Sequence, residues 1–176
     1  MSELFSIQLQ NRQQQGRDGV WLDLPTTTEQ VQTALRQIGI SSDNPQGLFI
    51  SGYFAEEEKR FAISYNMVLA SNVDELNFLA AQLETLSAGE RAELNAALQA
   101  PQSELFSIGR ITDFPENVDY YVHLPDVHGP AQLGDYYLNR SGMVNMPEEW
   151  KGGIDTAQFG RYVAQQEQGA FTQYGY

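Results

Sequence analysis

Hydrophobic and polar residues alternate near the start of the chain, which is the pattern of half-buried β-strands. This β-rich run covers residues 4–10, a second β-rich run covers residues 19–24, and a glycine-containing polar turn separates them at residues 16–18. This arrangement predicts a β-hairpin. Residues 49–54 have the composition of a third strand. We therefore expect a small antiparallel sheet within residues 1–65.

After the hairpin, the apolar residues change to the spacing of a helix. Between residues 31 and 38 they recur three and four positions apart, and Gly39 follows as a helix stop. The pair Thr26 and Glu29 has the spacing of a capping box in front of this stretch. The pattern predicts an amphipathic helix that packs on the sheet.

Leucines at helical spacing dominate residues 66–102. They fall into two stretches. A capping pattern precedes each stretch, beginning at Ser71 or Asn72 in the first and at Ser87 in the second. This part of the sequence predicts a helical hairpin that is too small to form a globule alone and that acts as a spacer.

The hexapeptide Ser-Glu-Leu-Phe-Ser-Ile occurs twice, at residues 2–7 and at residues 103–108. Weaker similarities follow each copy, and they match residues 19–25 with 119–125 and residues 47–53 with 169–175. Internal similarity of this kind predicts two copies of one unit, each with strand, hairpin, strand, helix and strand. In the second copy a further helix, with Asp155 near its start, is expected before the last strand.

These patterns together predict an α+β protein of elongated form. Two small modules, each an antiparallel sheet with helices, would flank the central helical hairpin. The expected boundaries are residues 1–65 for the N-terminal module, 66–102 for the central module and 103–176 for the C-terminal module.

The charge of the chain is strongly negative. It has 23 Asp and Glu against 10 Lys and Arg, a formal net charge of −13. Residues 62–104 are the most acidic stretch per residue, with six carboxylates and Arg91 as the single base. Because a field of this sign attracts basic surfaces and repels phosphates, we expect a basic protein partner and no direct binding of nucleic acid.

Several classes of site are disfavoured by the composition. The chain has no cysteine, which excludes disulfides, thiolate metal sites and cysteine nucleophiles. No apolar run approaches the roughly 18 residues of a membrane span, so we expect no membrane partner and a cytoplasmic location. His123 and His128, with Asp126 between them, have a spacing that is only weakly suggestive of a metal site. We expect no metal and no cofactor.

A hydrolase that uses paired carboxylates is an alternative. Glu148 with Glu149, or Asp126 with Asp135, could be proposed as acid and base. With this many carboxylates, however, some pairs lie close by chance. No P-loop, G-x-S-x-G or G-x-G-x-x-G motif is present. We therefore expect no catalytic residues and no enzyme activity.

The aromatic residues admit two interpretations. Trp21, Tyr120, Tyr121, Tyr136 and Tyr137 are expected to lie in a core or at an interface. An aromatic platform for nucleic acid would need Lys and Arg between the rings, and these bases are missing.

Over essentially its whole length the sequence resembles the ArdA-type antirestriction proteins. The Gly-x-Trp-x-Asp-Leu stretch at residues 19–24 is similar to the N-terminal signature of that family. The leucine-rich stretch that begins at residue 76 is similar to its central helical segment, and residues 159–161 with 169–176 are similar to its closing motif. The first hairpin departs from the family pattern because it is rich in glutamine at residues 13–15.

This resemblance implies a DNA mimic that is encoded by mobile elements. The family is implied to consist of three small domains, to form homodimers through the C-terminal domain, and to occupy the DNA-binding groove of type I restriction-modification enzymes, with the methyltransferase core as partner. Carboxylates would replace phosphates in that groove. The expected phosphate-like residues are Glu56, Glu57, Glu58, Asp74, Glu75, Glu84, Glu90, Glu93, Glu104, Asp113, Glu116, Asp119, Asp126 and Asp135. An acidic inhibitor or adaptor of another basic nucleic-acid-binding protein is the main alternative.

Overall fold

The computed structural model describes most of the chain. The described residues are 3–14, 18–41, 45–117 and 120–176. The chain divides into two compact units, the first made of residues 1–91 and 104–118 and the second of residues 92–103 and 119–176. The expected division into three modules stays a prediction.

A three-stranded antiparallel sheet lies in the first unit. Its strands are β1 (Phe5–Asn11), β2 (Val20–Leu24) and β3 (Leu48–Phe54), and β1 lies between the other two. The sheet predicted within residues 1–65 is therefore confirmed. Most of the predicted hairpin turn, at residues 16–18, lies outside the described residues.

One face of the sheet forms the core of the first unit. Along β1, buried residues alternate with half-buried ones, and Phe5, Ile7 and Leu9 point inward. Helix α1 (Thr28–Gln37) packs beside β2 on this core. The alternation in the sequence and the burial in the structure agree because every second side chain of a strand lies on the same face.

The N-terminal cap of α1 lies one residue later than predicted. Thr27, and not Thr26, has the extended backbone of an N-cap, and it forms a capping box with Gln30. The backbone of Thr26 is engaged elsewhere, because its N–H donates to Oδ1 of Asn77 at 2.7 Å and its carbonyl accepts from Nδ2 of Asn77 at 3.0 Å. This pair of bonds shifts the start of the helix.

Asn77 belongs to helix α3 (Val73–Glu84), which follows the short helix α2 (Tyr65–Leu69). Leu76, Leu79 and Leu83 of α3 are fully buried. Of the two capping patterns predicted for this helix, the one at Asn72 is formed, and its side chain accepts from the N–H of Glu75 at 2.9 Å. The first of the two predicted central helices is thus present in the first unit.

The second central helix, α4 (Ala88–Gln99), is also present. The predicted capping pattern at Ser87 is formed as a reciprocal pair: the N–H of Ser87 donates to the Glu90 carboxylate at 2.8 Å, and the N–H of Glu90 donates to the Ser87 hydroxyl at 3.3 Å. Helix α4 continues into the second unit. Helix α5 (Ile108–Thr112) lies in the first unit and packs against α3.

The core of the second unit is built by two helices that cross closely. These are α6 (Pro130–Asp135), which continues into a π-helical turn at Tyr136–Arg140, and α8 (Thr156–Glu167). A short helix, α7 (Glu148–Lys151), lies between them in sequence. A methyl group added to Gly160 would lie 1.8 Å from the carbonyl oxygen of Pro130, so the two backbones touch through this glycine.

The second predicted sheet is wrong, although the mixed α+β class is confirmed. Among the described residues after 102, no strand is formed, and the only β pairing is an isolated bridge between Thr172 and Gly175. Ser107 caps α5 instead of lying in a strand, because Ile108 and Ile111 have the spacing of a helix and lack the alternation of β1. The helix predicted with Asp155 near its start is confirmed as α8.

Candidate functional site

The carboxylates of the chain lie at its surface. Asp43 and Asp119 are outside the described residues. Of the other twenty-one, seventeen are exposed, four are half-buried and none is buried. Because a charged group in water keeps its hydration and its field reaches outward, these side chains can present negative charge to a partner.

The predicted phosphate-like residues follow the same pattern. Asp119 lies outside the described residues. The exposed members are Glu56, Glu57, Glu58, Asp74, Glu75, Glu104, Asp113, Glu116 and Asp126. The half-buried members are Glu84, Glu90, Glu93 and Asp135. The structure divides this set between the two units, with Glu93, Asp126 and Asp135 in the second unit and the other described members in the first.

Several of these carboxylates occupy the first turns of helices. Asp74 and Glu75 are in the first turn of α3, and Glu90 is in the first turn of α4. Negative charge is favourable there because of the unpaired N–H groups and the helix dipole. Hydrogen bonds from the side chain and backbone N–H of Ser87 lower the pKa of the Glu90 carboxyl. Glu90 therefore has a structural role as a helix cap.

Four ion pairs are formed among the described residues. They join Glu56 to Lys59 at 3.1 Å, Glu104 to Arg110 at 3.5 Å, Asp135 to Arg140 at 3.4 Å, and Glu148 to Lys151 at 2.7 Å. Exposed pairs of this kind add little stability, but the base in each pair offsets part of the field of its carboxylate. Three of the predicted phosphate-like residues are thus partly neutralised within the chain.

Arg91, the single base of the acidic central stretch, donates hydrogen bonds to carbonyls at the end of α3 and just after it. Its Nε donates to the carbonyl of Leu86 at 3.3 Å, and its Nη2 donates to the carbonyl of Leu83 at 3.4 Å. The guanidinium also lies 5.2 Å from the ring centre of Phe61. A cation at this position satisfies carbonyls at the C-terminal end of α3.

Both units keep a large negative charge. The first unit has fifteen carboxylates against seven bases, a net charge of −8, and the second has eight against three, a net charge of −5. The acidic character is therefore a property of the whole chain and is not confined to one patch.

The family model of the antirestriction protein ArdA matches residues 15–176. The chain belongs to the ArdA antirestriction family. The resemblance seen in the short motifs is confirmed by this match over nearly the whole sequence. A search of curated proteins found no match. The ArdA family is one of inhibitors rather than enzymes, and it acts against restriction-modification systems.

Two exposed residues of strand β2 were not among the expected site residues. Trp21 is half exposed, although a core or interface position was expected, and Asp23 is exposed beside it on β2. The buried residues of this strand are Leu22 and Leu24. The alternation of the strand is the signal that places Trp21 and Asp23 together on the opposite, outward face.

One exposed carboxylate of this ArdA-family protein, Glu167, forms hydrogen bonds within the second unit. Glu167 accepts hydrogen bonds from the hydroxyls of Tyr137 and Tyr176. Burial, with the bond to Glu167 as a further cause, raises the pKa of Tyr137 to about 12, and the same causes raise the pKa of Tyr176. Glu167 thus ties the closing segment of the chain to the turn that follows α6.

The two histidines also contact the closing segment. Nε2 of His123 lies 2.8 Å from the carbonyl of Tyr174, and Nδ1 of His128 lies 3.5 Å from the carbonyl of Thr172. In the part of the chain that the structure describes, no three His, Asp or Glu side chains cluster in a way that could hold a metal. None of the helices described combines the length and apolarity needed to cross a membrane.

Proposed function

We propose that this protein inhibits type I restriction-modification enzymes by occupying the DNA-binding groove of their methyltransferase core as an acidic mimic of DNA. The observation that supports the proposal is the exposure of seventeen described carboxylates, spread over both units of a chain that belongs to an antirestriction family. A groove that binds DNA must supply many Lys and Arg side chains to neutralise phosphates. The same Lys and Arg side chains would also bind carboxylates whose spacing is similar to that of phosphates.

No bond is made or broken in this mechanism. The carboxylates displace the anions that surround the basic groove, and the release of salt drives binding as it does for DNA. Many sites contribute a little each, since exposed charge pairs are worth only about 0.2–1 kcal/mol. Inhibition of modification as well as restriction would follow if the groove belongs to the subunits that both activities share.

The amount of charge suits a mimic that is extended. Duplex DNA carries one negative charge for about 1.7 Å of its axis, so 23 carboxylates correspond to roughly 40 Å of duplex. A compact chain of 176 residues would have a radius of gyration of only about 16 Å. We therefore include in the proposal an elongated form and a homodimer that is joined through residues 103–176. Small-angle scattering that gives a compact monomer would overturn this part of it.

A competition experiment tests the target. The purified protein is immobilised and incubated with the methyltransferase core of a type I enzyme, and duplex DNA or salt is then added. We expect the core to be retained at low salt and to be released by either competitor. Retention of an unrelated basic nucleic-acid-binding protein with equal affinity would favour the alternative of an acidic inhibitor with another target.

Matched sets of neutral substitutions test the mimicry. The first set replaces Glu57, Glu58, Asp74 and Glu75 by their amides, and the control set does the same for Glu3, Asp18, Glu148 and Glu149, which were not expected to act as phosphates. The first set should lower the slope of log K against log salt, because each carboxylate that no longer pairs with a base of the groove reduces the number of ions released on binding. The control set has the same change in net charge and should lower it less.

Single replacements separate mimicry from catalysis. If charge is shared among many sites, any one neutralisation should weaken binding about tenfold at most and should not abolish inhibition. A single carboxylate whose replacement abolishes antirestriction without unfolding the protein would instead support a hydrolase.

A further inference from the structure

The outward face of the sheet carries one large aromatic side chain. Trp21 on β2 lies opposite Gln8 on β1, and Gln8 in turn lies opposite Gly52 on β3. A methyl group added to Gly52 would be 3.0 Å from Cη2 of Trp21. The indole therefore reaches across β1 to β3, and because half of its surface is exposed, its outer face is open to solvent.

A carboxylate lies next to this ring. Asp23 is two residues further along β2, so its Cα is about 7 Å from that of Trp21 and its side chain is on the same face. The hydroxyl of Ser6, opposite Asp23 on β1, donates to Oδ1 at 2.6 Å. Asp23 forms no ion pair with any base among the described residues, and its second oxygen is available to a donor.

The chain itself shows twice how an aromatic ring and a carboxylate hold a guanidinium. Arg110 lies 4.6 Å from the ring centre of Phe106 and 3.5 Å from the carboxylate of Glu104. The second case is Arg140 with Tyr136 and Asp135, at 5.6 Å and 3.4 Å. The guanidinium suits such a pair since it is planar, stacks on aromatic faces and donates to carboxylates.

We propose that Trp21 and Asp23 bind an arginine side chain of the protein that this chain inhibits. The inference rests on the proposed function, because a DNA-binding groove offers arginines that normally contact phosphate. The guanidinium stacks on the open face of the indole and donates to Asp23. This contact distinguishes arginine from lysine, whose ammonium has no planar face. Stacking also removes apolar surface from water. The affinity that this contact adds therefore depends less on salt than the affinity that comes from the other carboxylates.

A purely structural role for Trp21 must be separated from this one. The indole covers Gly52, and cross-strand cover of a glycine can stabilise a sheet by itself. Trp21→Leu keeps an apolar side chain over Gly52 and removes the aromatic face. A role restricted to the sheet predicts that this variant changes thermal stability but not affinity.

The experiment measures binding of the methyltransferase core over a range of salt concentrations for Trp21→Leu, Asp23→Asn and the double variant. We expect each single variant to weaken binding about tenfold, with the salt slope of Trp21→Leu unchanged. The loss of affinity in the double variant should be smaller than the product of the two single-variant losses, because both residues contact one guanidinium. The control is Trp150→Leu, which removes another tryptophan that is 68% exposed and should leave affinity unchanged. Wild-type affinity in Trp21→Leu would overturn the inference.

A second arm does not depend on the target. Trp150→Phe leaves Trp21 as the only tryptophan, since the chain has two, and its fluorescence is titrated with hexa-arginine and with hexa-lysine peptides. We expect the arginine peptide to change the fluorescence at a concentration about tenfold lower, and Asp23→Asn to reduce that preference. Identical curves for the two peptides would overturn the inference. If the peptide preference is seen and the methyltransferase core does not bind, the proposed target fails and the arginine site stands.

Discussion

Residues 3–7 and residues 104–108 have the same sequence, Glu-Leu-Phe-Ser-Ile, and they fold differently within the same unit. In the first copy the chain enters β1, and in the second it turns and starts α5. The aromatic residue shows the difference most clearly, because Phe5 is 4% exposed and Phe106 is 67% exposed. The leucine and the isoleucine are buried in both copies.

The residues that follow each copy account for this difference. After Ile7 the alternation continues, and β1 finds a partner strand on each side. After Ile108, an apolar residue comes three positions later at Ile111, and the hydroxyl of Ser107 accepts the N–H of Arg110 at 3.3 Å as an N-cap. The secondary structure of this short sequence thus depends on the residues that follow it. Identity over five residues is not sufficient to form a strand.

The two phenylalanines offer the largest test of this comparison. Phe5→Ala should lower the free energy of unfolding by about 3–5 kcal/mol, because it leaves a cavity under the sheet. Phe106→Ala should lower it by less than about 1 kcal/mol, since the ring is exposed and contacts Arg110. Chemical denaturation of both variants measures the difference. Equal losses would show that the second copy is packed like the first.

Two glycines test why the second half of the chain is built from helices. Gly160→Ala should destabilise by about 1–3 kcal/mol, because a methyl group would lie 1.8 Å from the Pro130 carbonyl and α6 and α8 would have to separate. Gly109→Ala is the matched control within α5, where a methyl group meets nothing within 4 Å. It should stabilise by up to about 1 kcal/mol, since alanine favours a helix. Thermal unfolding compares the two, and a neutral Gly160→Ala would contradict the close crossing.

The two serines of the repeated sequence sharpen the comparison at a smaller scale. Ser107→Ala removes the N-cap of α5 and should cost about 1 kcal/mol, with Ser107→Gly costing only a few tenths. Ser6→Ala removes one exposed bond to Asp23 and should cost about 0.5 kcal/mol or less. Urea denaturation at neutral pH is sufficient to measure both. A larger cost at Ser6 than at Ser107 would reverse the roles of the two hydroxyls.

The hydrogen bonds that Tyr137 and Tyr176 donate to Glu167 make the stability of the second unit depend on pH. The pKa of Tyr137, ordinarily 10.0, is raised to about 12 in the folded protein. Its contribution to stability is therefore complete below pH 10 and is lost as the pH rises from about 10 to 12, because the unfolded chain releases the proton first. Tyr137→Phe should reduce the loss of stability over this range. Absorbance at 295 nm should show Glu167→Gln moving the tyrosine titration to lower pH, and an unchanged titration would contradict the bond.

Much of the first unit could be predicted from the sequence, since its signals are local. The alternation in β1, the leucine spacing of α3 and the capping box at Ser87 each involve residues a few positions apart. The start of α1 was displaced by one residue because Asn77, about fifty positions away, binds the backbone of Thr26. A contact at that separation leaves no local pattern.

The second half of the chain was predicted less well for the same reason. Its strands were inferred from similarity to the first half, but a strand needs a partner. Among the described residues, the segment near Leu124 has a backbone pair with Tyr176 and no strand partner, and the N–H of each residue of that pair donates to the carbonyl of the other at 2.8 and 3.1 Å. Glycine contacts between α6 and α8 stabilise helices there instead.

The candidate site divides in the same way. That the carboxylates would be exposed follows from their charge, and the sequence suffices for it. That Glu90 caps a helix could also be expected from its spacing to Ser87. The hydrogen bonds of Glu167 with Tyr137 and Tyr176 could not be predicted from the sequence, since the two tyrosines are far apart along the chain.

By itself, the sequence determined the net charge, the membership of the ArdA family and the positions of the four longest helices and of the first sheet. These depend on composition or on neighbours within one or two turns of the chain. Only the tertiary structure decided that β1 lies between two partner strands, that Arg91 lies over the ring of Phe61, and that Trp21 lies open beside Asp23. The physical reason is that strand pairing, close helix crossing and the surface left uncovered all depend on residues that are distant in sequence and meet only after folding.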